Sequence, residues 1–68
     1  MTLKLHKEIY RRDVVERAID DYRELATIVL TVETDYWVCF FEASIASTAT
    51  TVREFENYLI ALSALRRL

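Results

Sequence analysis

The sequence predicts a two-layer α+β domain, β-α-β-β-α. Its three-stranded sheet runs in the order 1-3-2, with two helices on one face. Three observations carry this. Apolar and polar residues alternate over Thr2–Tyr10 and again over Thr27–Thr34, the period of half-buried strands. Apolar residues recur at helical spacing after Asp13 and after Thr51. Between Tyr36 and Ile45 they occupy both faces, as in a central strand.

In the first strand Leu3, Leu5 and Ile9 share one side. Lys4, His6, Glu8 and Tyr10 share the other, and Lys7 is the one mismatch. Asp13 opens the first helix, placing an N-cap acceptor three residues before Glu16 in a capping-box-like start. Val15, Ala18, Ile19, Tyr22 and Ala26 make its apolar face, with Leu25 near the edge. The helix is expected to close around Leu25 without a glycine cap. The second strand sets Ile28, Leu30 and Val32 against Thr27, Val29, Thr31 and Glu33. β-Branched residues dominate it, as a strand prefers.

Glu33-Thr34-Asp35 is the turn before the third strand. The odd side of that strand is Trp37, Cys39, Phe41, Ala43 and Ile45. Its even side starts as Tyr36, Val38 and Phe40, then turns polar at Glu42 and Ser44. Ser47–Thr50 is a small-residue connector, and Thr51-Val-Arg-Glu54 a second capping box. Val52, Phe55, Leu59 and Leu62 then line a helical face flanked by Tyr58 and Leu65. Arg66 and Arg67 fall in the last turn, where cations suit the helix dipole.

Strands joined through a helix run parallel with a right-handed crossover. A hairpin brings the third strand back antiparallel, and its two apolar faces place it in the middle. This is a truncated ferredoxin-like fold, the ferredoxin-like pattern minus its last strand. The odd side of the third strand should face the helices, with Leu3, Leu5, Ile9, Ile28, Leu30 and Val32.

The chain has 68 residues and neither glycine nor proline; average usage would give about 5 and about 3. Without glycine there is no phosphate-cradling P-loop, no dinucleotide turn, no G-x-S-x-G elbow and no EF-hand loop. Residues 1–68 fit a single domain. A chain near 60 residues buries only about 60% of its unfolded surface, so such chains usually add a disulfide, a metal or a partner. Cys39 is the lone cysteine and His6 the lone histidine, too few for an intrachain disulfide or a His/Cys zinc site. A homodimer or a larger protein partner remains. A lone cysteine without a hydrophobic signal segment points to a cytoplasmic setting. No apolar run approaches the ~20 residues of a membrane span, so no membrane partner is expected.

Net charge is −2, and residues 1–34 and 35–68 each contribute −1. No basic stripe exists to displace counterions, so nucleic acid is not an expected partner. Neither a cofactor nor a small-molecule ligand is implied.

The opposite sheet face is the expected interaction surface. Tyr36, Val38 and Phe40 lie at its centre, with Val29 and Tyr10 beside them. Lys4, His6, Glu8, Thr27, Thr31 and Glu33 surround them. An apolar patch with a polar rim is the anatomy of an association surface. Ile60, with Ala61, Ala64 and Leu68, forms a second small patch.

Candidate chemistry is sparse. Cys39, between Trp37 and Phe41, reads as a buried, inert thiol. His6 reads as a surface side chain, because no nucleophile or orienting group can be named for it. Asp13, Glu16, Asp20 and Glu24 make an acidic helix stripe. It reads as a solvated face, or else as a dock for a basic partner or a weak divalent cation. Bare carboxylates on one helix lack calcium's oxygen cage. The expectation is a non-catalytic interaction module. Its alternatives are a small enzyme using His6 or Cys39, or a nucleic-acid binder using Arg11, Arg12, Arg53, Arg66 and Arg67.

The stretch Glu8-Ile-Tyr-Arg-Arg-Asp-Val-Val-Glu-Arg-Ala-Ile-Asp-Asp-Tyr22 resembles the opening of the small HxsD-like proteins. There an Ile-Tyr ends a strand and a helix with an alanine-rich apolar face follows. Glu54-Phe-Glu-Asn-Tyr-Leu59 is similar to that family's C-terminal helix. The resemblance implies an accessory role beside radical enzymes of a His-Xaa-Ser peptide-maturation system, with no catalytic residue in this chain.

Overall fold

The computed structural model describes residues 1–66. The elements are β1 (Thr2–His6), α1 (Arg12–Asp21), β2 (Ala26–Val32), β3 (Tyr36–Ser44) and α2 (Thr48–Arg66). The sheet order is β1-β3-β2, and β3 is antiparallel to both neighbours. The α+β class, the strand order and the central place of β3 are as the sequence predicts.

The core forms between the odd side of β3 and the two helices. Leu5, Cys39 and Phe41 from the sheet meet Val14, Val15 and Ala18 of α1 and Phe55 and Leu59 of α2. Rings run through it edge to face: Tyr22 on Phe55 at 5.2 Å and Phe55 on Phe41 at 5.4 Å between centroids. Such pairs add to the burial of the rings themselves. Val14 joins the α1 face that the spacing assigned to Val15, Ala18, Ile19 and Tyr22. None of the described residues has a positive φ, which fits a chain without glycine.

Several boundaries differ from the sequence expectation. β1 ends at His6, four residues before Tyr10. The His6 ring closes a turn there, its Nδ1 accepting the Glu8 N–H at 3.1 Å while its carbonyl accepts those of Ile9 and Tyr10. Ile9, expected in the core, is therefore 56% exposed. α1 starts at Arg12 from an extended Arg11 with no side-chain cap. Asp13 is thus not the N-cap; it lies in the first turn, where a carboxylate suits the dipole. α1 ends at Asp21, and Tyr22 O accepts the Leu25 and Ala26 amides in the turn that follows. α2 starts at Thr48, not Thr51. Its cap is Ser47, whose Oγ accepts the Thr50 N–H at 3.3 Å. Thr51 is buried instead, its hydroxyl donating to Ser47 O.

A bulge changes the end of β3. Thr27 pairs with Ala43 but Ile28 with Phe41, so Glu42 has no register partner. One extra residue reverses the side on which later residues fall. Ala43 and Ile45 leave the core side for this reason, and Ile45 is 79% exposed. Val32 was also expected inside, yet it is 52% exposed, at the far end of the edge strand. Arg67 and Leu68 lie outside the described residues, as does the side chain of Arg66.

A polar clasp joins the helices at the surface. The Tyr58 hydroxyl donates to Asp21, and Arg17 Nε donates to the same carboxylate at 3.2 Å. Tyr58 first, then Arg17, holds the Asp21 carboxyl below its ordinary value of 3.8. A depressed carboxyl contributes stability above its unfolded value, lost as pH falls through the folded one. Tyr58→Phe is expected to flatten the loss of stability on acidification below that value. Urea titrations at a series of acid pH values check this, and an unchanged acid limb would contradict it.

Candidate interaction surface

The sheet face away from the helices carries Tyr36, Val38 and Phe40 of β3. Register sets Phe40 between Thr2 and Val29, Val38 between Lys4 and Thr31, and Tyr36 beside His6. Both helices bury their apolar faces on the other side, so among the described residues no element covers this one.

Its centre is Phe40, 45% exposed, beside Val29 at 40%. Val38 was expected at the heart of the patch, yet it is buried. It forms the floor between Lys4 and Thr31 rather than a contact residue. Tyr36 is half-buried. The His6 ring meets it edge-on at 5.2 Å, and Lys4 Nζ lies 5.7 Å from its centroid. Lys4 then reaches Glu33 at 3.3 Å. This bridge crosses from β1 over β3 to the end of β2 and forms one rim of the patch. The sequence reading missed it. The signal was available: Lys4 and Glu33 fall on the face given to Tyr36 once the strand order is fixed.

Tyr10 and Ile60 do not belong to this surface. The chain turns at Lys7, so Tyr10 leaves the sheet and packs against the core from the helix side. Its carbonyl accepts Trp37 Nε1 at 2.9 Å. Lys7 Nζ stands 4.8 Å from the Trp37 centroid and the Arg12 guanidinium 5.8 Å, within cation–π range. Ile60 lies on α2 and shares with Ile9, Tyr10, Ser63 and Ala64 a notch of about 190 Å³. Glu8, expected on the rim, sits in the turn after β1.

The candidate reactive groups are placed as follows. Cys39 is fully buried, and burial pushes its thiol up to about 11. His6 lies on the open face, but Nδ1 is occupied by the Glu8 N–H. The acidic stripe is laced with arginines: Arg11 on Asp13 at 3.3 Å, Arg12 on Glu16 at 2.6 Å and Arg23 on Asp20 at 3.5 Å. Among the described residues no group of three or more His, Cys, Asp or Glu side chains is placed to hold a metal ion. No described helix is long and apolar enough to cross a membrane.

Compared with known families, curated proteins and solved structures, the chain matches no family model, no curated protein and no solved structure. A fold does not by itself give a function, so the surface and its chemistry carry the reading.

Proposed function

We propose that this chain is a small, non-catalytic interaction module of the cytoplasm that docks through its open sheet face onto another protein, a second copy or a larger partner. The observation that carries this is the pair Phe40 and Val29. They are register neighbours, both substantially exposed, on a face that no described element covers. Polar groups rim them, among them the Lys4–Glu33 bridge and the Thr2, Thr27 and Thr31 side chains. An apolar centre inside a polar rim suits a protein partner. The likeness of Glu8–Tyr22 to the HxsD-like proteins supports an accessory role of the same kind.

The rival readings draw little from the geometry. An enzyme using Cys39 would need a thiolate that substrate can reach. One using His6 would need a nucleophile within hydrogen-bond reach. A nucleic-acid binder would need free basic groups in a stripe, yet Arg11, Arg12, Arg17 and Arg23 each sit on a carboxylate.

Phe40→Asp tests the reading. The side chain is exposed enough for a carboxylate to stay hydrated, so the fold should persist. Any assembly held by this face should fall to the monomer in sedimentation. If the wild type is itself monomeric up to about 1 mM, the range of weak contacts, the larger partner is the remaining form. A photo-crosslinker at position 40 should then capture it in cells, and one at Glu56 on α2 should not. Failure to cross-link from position 40 would sink the reading.

A further inference from the structure

We propose that β2 pairs edge to edge, antiparallel, with β2 of a second copy, in a register centred on Val29. This goes beyond the open-face reading and does not rest on it.

The backbone comes first. Glu33 N–H donates to Tyr36 O at 2.9 Å. In an antiparallel ladder hydrogen-bonded pairs alternate with unbonded ones. Thr31 and Val29 therefore also turn their backbone groups toward β3. Ile28, Leu30 and Val32 turn theirs outward, away from the sheet. The sheet order makes β2 an edge strand, so these donors and acceptors are open to another strand. Natural edges are usually protected by short length, lysine or proline. The β1 edge is five residues long and carries Lys4 and His6. The β2 edge is seven residues, Ala-Thr-Ile-Val-Leu-Thr-Val, with no charge and no proline.

The strand selects a copy of itself as its occupant, because it reads alike in both directions. A two-fold axis at Val29 sets Val29 on Val29, Ile28 on Leu30, Thr27 on Thr31 and Ala26 on Val32. Every pair is aliphatic on aliphatic or threonine on threonine, and cross-strand pairs of these kinds stabilise a sheet. Ile28 and Leu30 both have outward backbone groups, as a hydrogen-bonded pair requires. A slip of one residue would set outward groups against inward ones. In the antiparallel register Glu33 falls opposite Leu25 of the other copy. A parallel pairing would set Glu33 against Glu33. Such a contact is isologous and closes at two copies.

The pairing also covers apolar surface on both sides of the edge. Val29 is exposed on the open face, and Val32 on the helix side, where Ile28 and Leu30 are only half-buried. It would join the Phe40–Val29 patches of two copies into one row.

The test uses the whole chain. Sedimentation between about 10 µM and about 1 mM should show a dimer at the upper end. Over that range the Ile28, Leu30 and Val32 amides should exchange with deuterium at least about tenfold more slowly. Leu30→Pro removes an N–H that β3 does not use and should give a folded monomer, whereas Glu56→Ala on α2 should stay dimeric. If Leu30→Pro fails to fold, the wild-type amide measurement decides. The proposal is overturned by a monomer at every concentration, which leaves the edge to a foreign strand or to none. It is equally overturned by a dimer whose three amides exchange at the dilute rate, or by one that Phe40→Asp dissolves while Leu30→Pro keeps it; those results favour the open face.

Discussion

Phe55→Ala is expected to leave most of the chain unfolded at 25 °C. The ring is fully buried and stands edge-on to both Tyr22 and Phe41, joining α1, α2 and β3. Truncating a buried Phe to Ala costs about 3–5 kcal/mol, and the edge-to-face contacts are part of what is lost. Stability of about 0.05–0.15 kcal/mol per residue gives a 68-residue chain roughly 3–10 kcal/mol in all. The loss is comparable to the lower half of that range. The check is far-UV circular dichroism with urea titration: helical signal should fall sharply in the variant. Leu59→Ala, one turn on, should lose about 2–5 kcal/mol. A Phe55→Ala chain with the wild-type midpoint would mean that α2 does not pack on the sheet as described.

The architecture was legible because its signals are ones of parity and period. Tyr36, Val38 and Phe40 alternate with Trp37, Cys39 and Phe41, so the middle strand and its core-facing side follow from the pattern alone. Phe55 and Leu59 stand four apart, which fixes the buried face of α2. What failed was local hydrogen bonding that no period records. Ile9 continues the alternation of Leu3 and Leu5, yet the His6 ring ends the strand by accepting the Glu8 amide. Asp13 and Thr51 each stand three residues before a glutamate, yet Ser47 caps α2 and no side chain caps α1. The unpartnered Glu42 then reversed the facing of Ala43 and put Ile45 in solvent.

The surface was legible in part for the same reason. Val29 and Phe40 follow from parity and strand order. The burial of Val38 does not, because parity assigns a side chain to a face and not its accessibility there. Tyr10 was placed by extending β1 too far. The self-matching order of Ala26–Val32 was present in the sequence throughout. It acquires meaning only once β2 is known to be an edge, since the same residues in a central strand would already be paired on both sides.

Alkaline pH is expected to destabilise the fold through Cys39 before any exposed group does so. The thiol sits at 0% exposure, and burial lifts it from an ordinary value of 9.0 to about 11. A group raised on folding contributes stability that is fully present below its unfolded value and lost as pH rises through the folded one. The window is therefore pH 9 to about 11. Two pKa units correspond to about 2.7 kcal/mol by its upper end. Tyr22, raised by burial and then by Glu54, and Tyr58, raised by its bond to Asp21, extend the loss above 10.0. Cys39→Ala removes the thiol and leaves the tyrosines. Its urea midpoint should stay nearly flat between pH 9 and 10, where the wild type declines. Native-state labelling of Cys39 by a thiol reagent should be slow and should track opening of the fold. A wild-type midpoint as flat as that of Cys39→Ala, together with fast labelling, would mean that the thiol meets solvent. The enzyme reading built on Cys39 would then regain its footing.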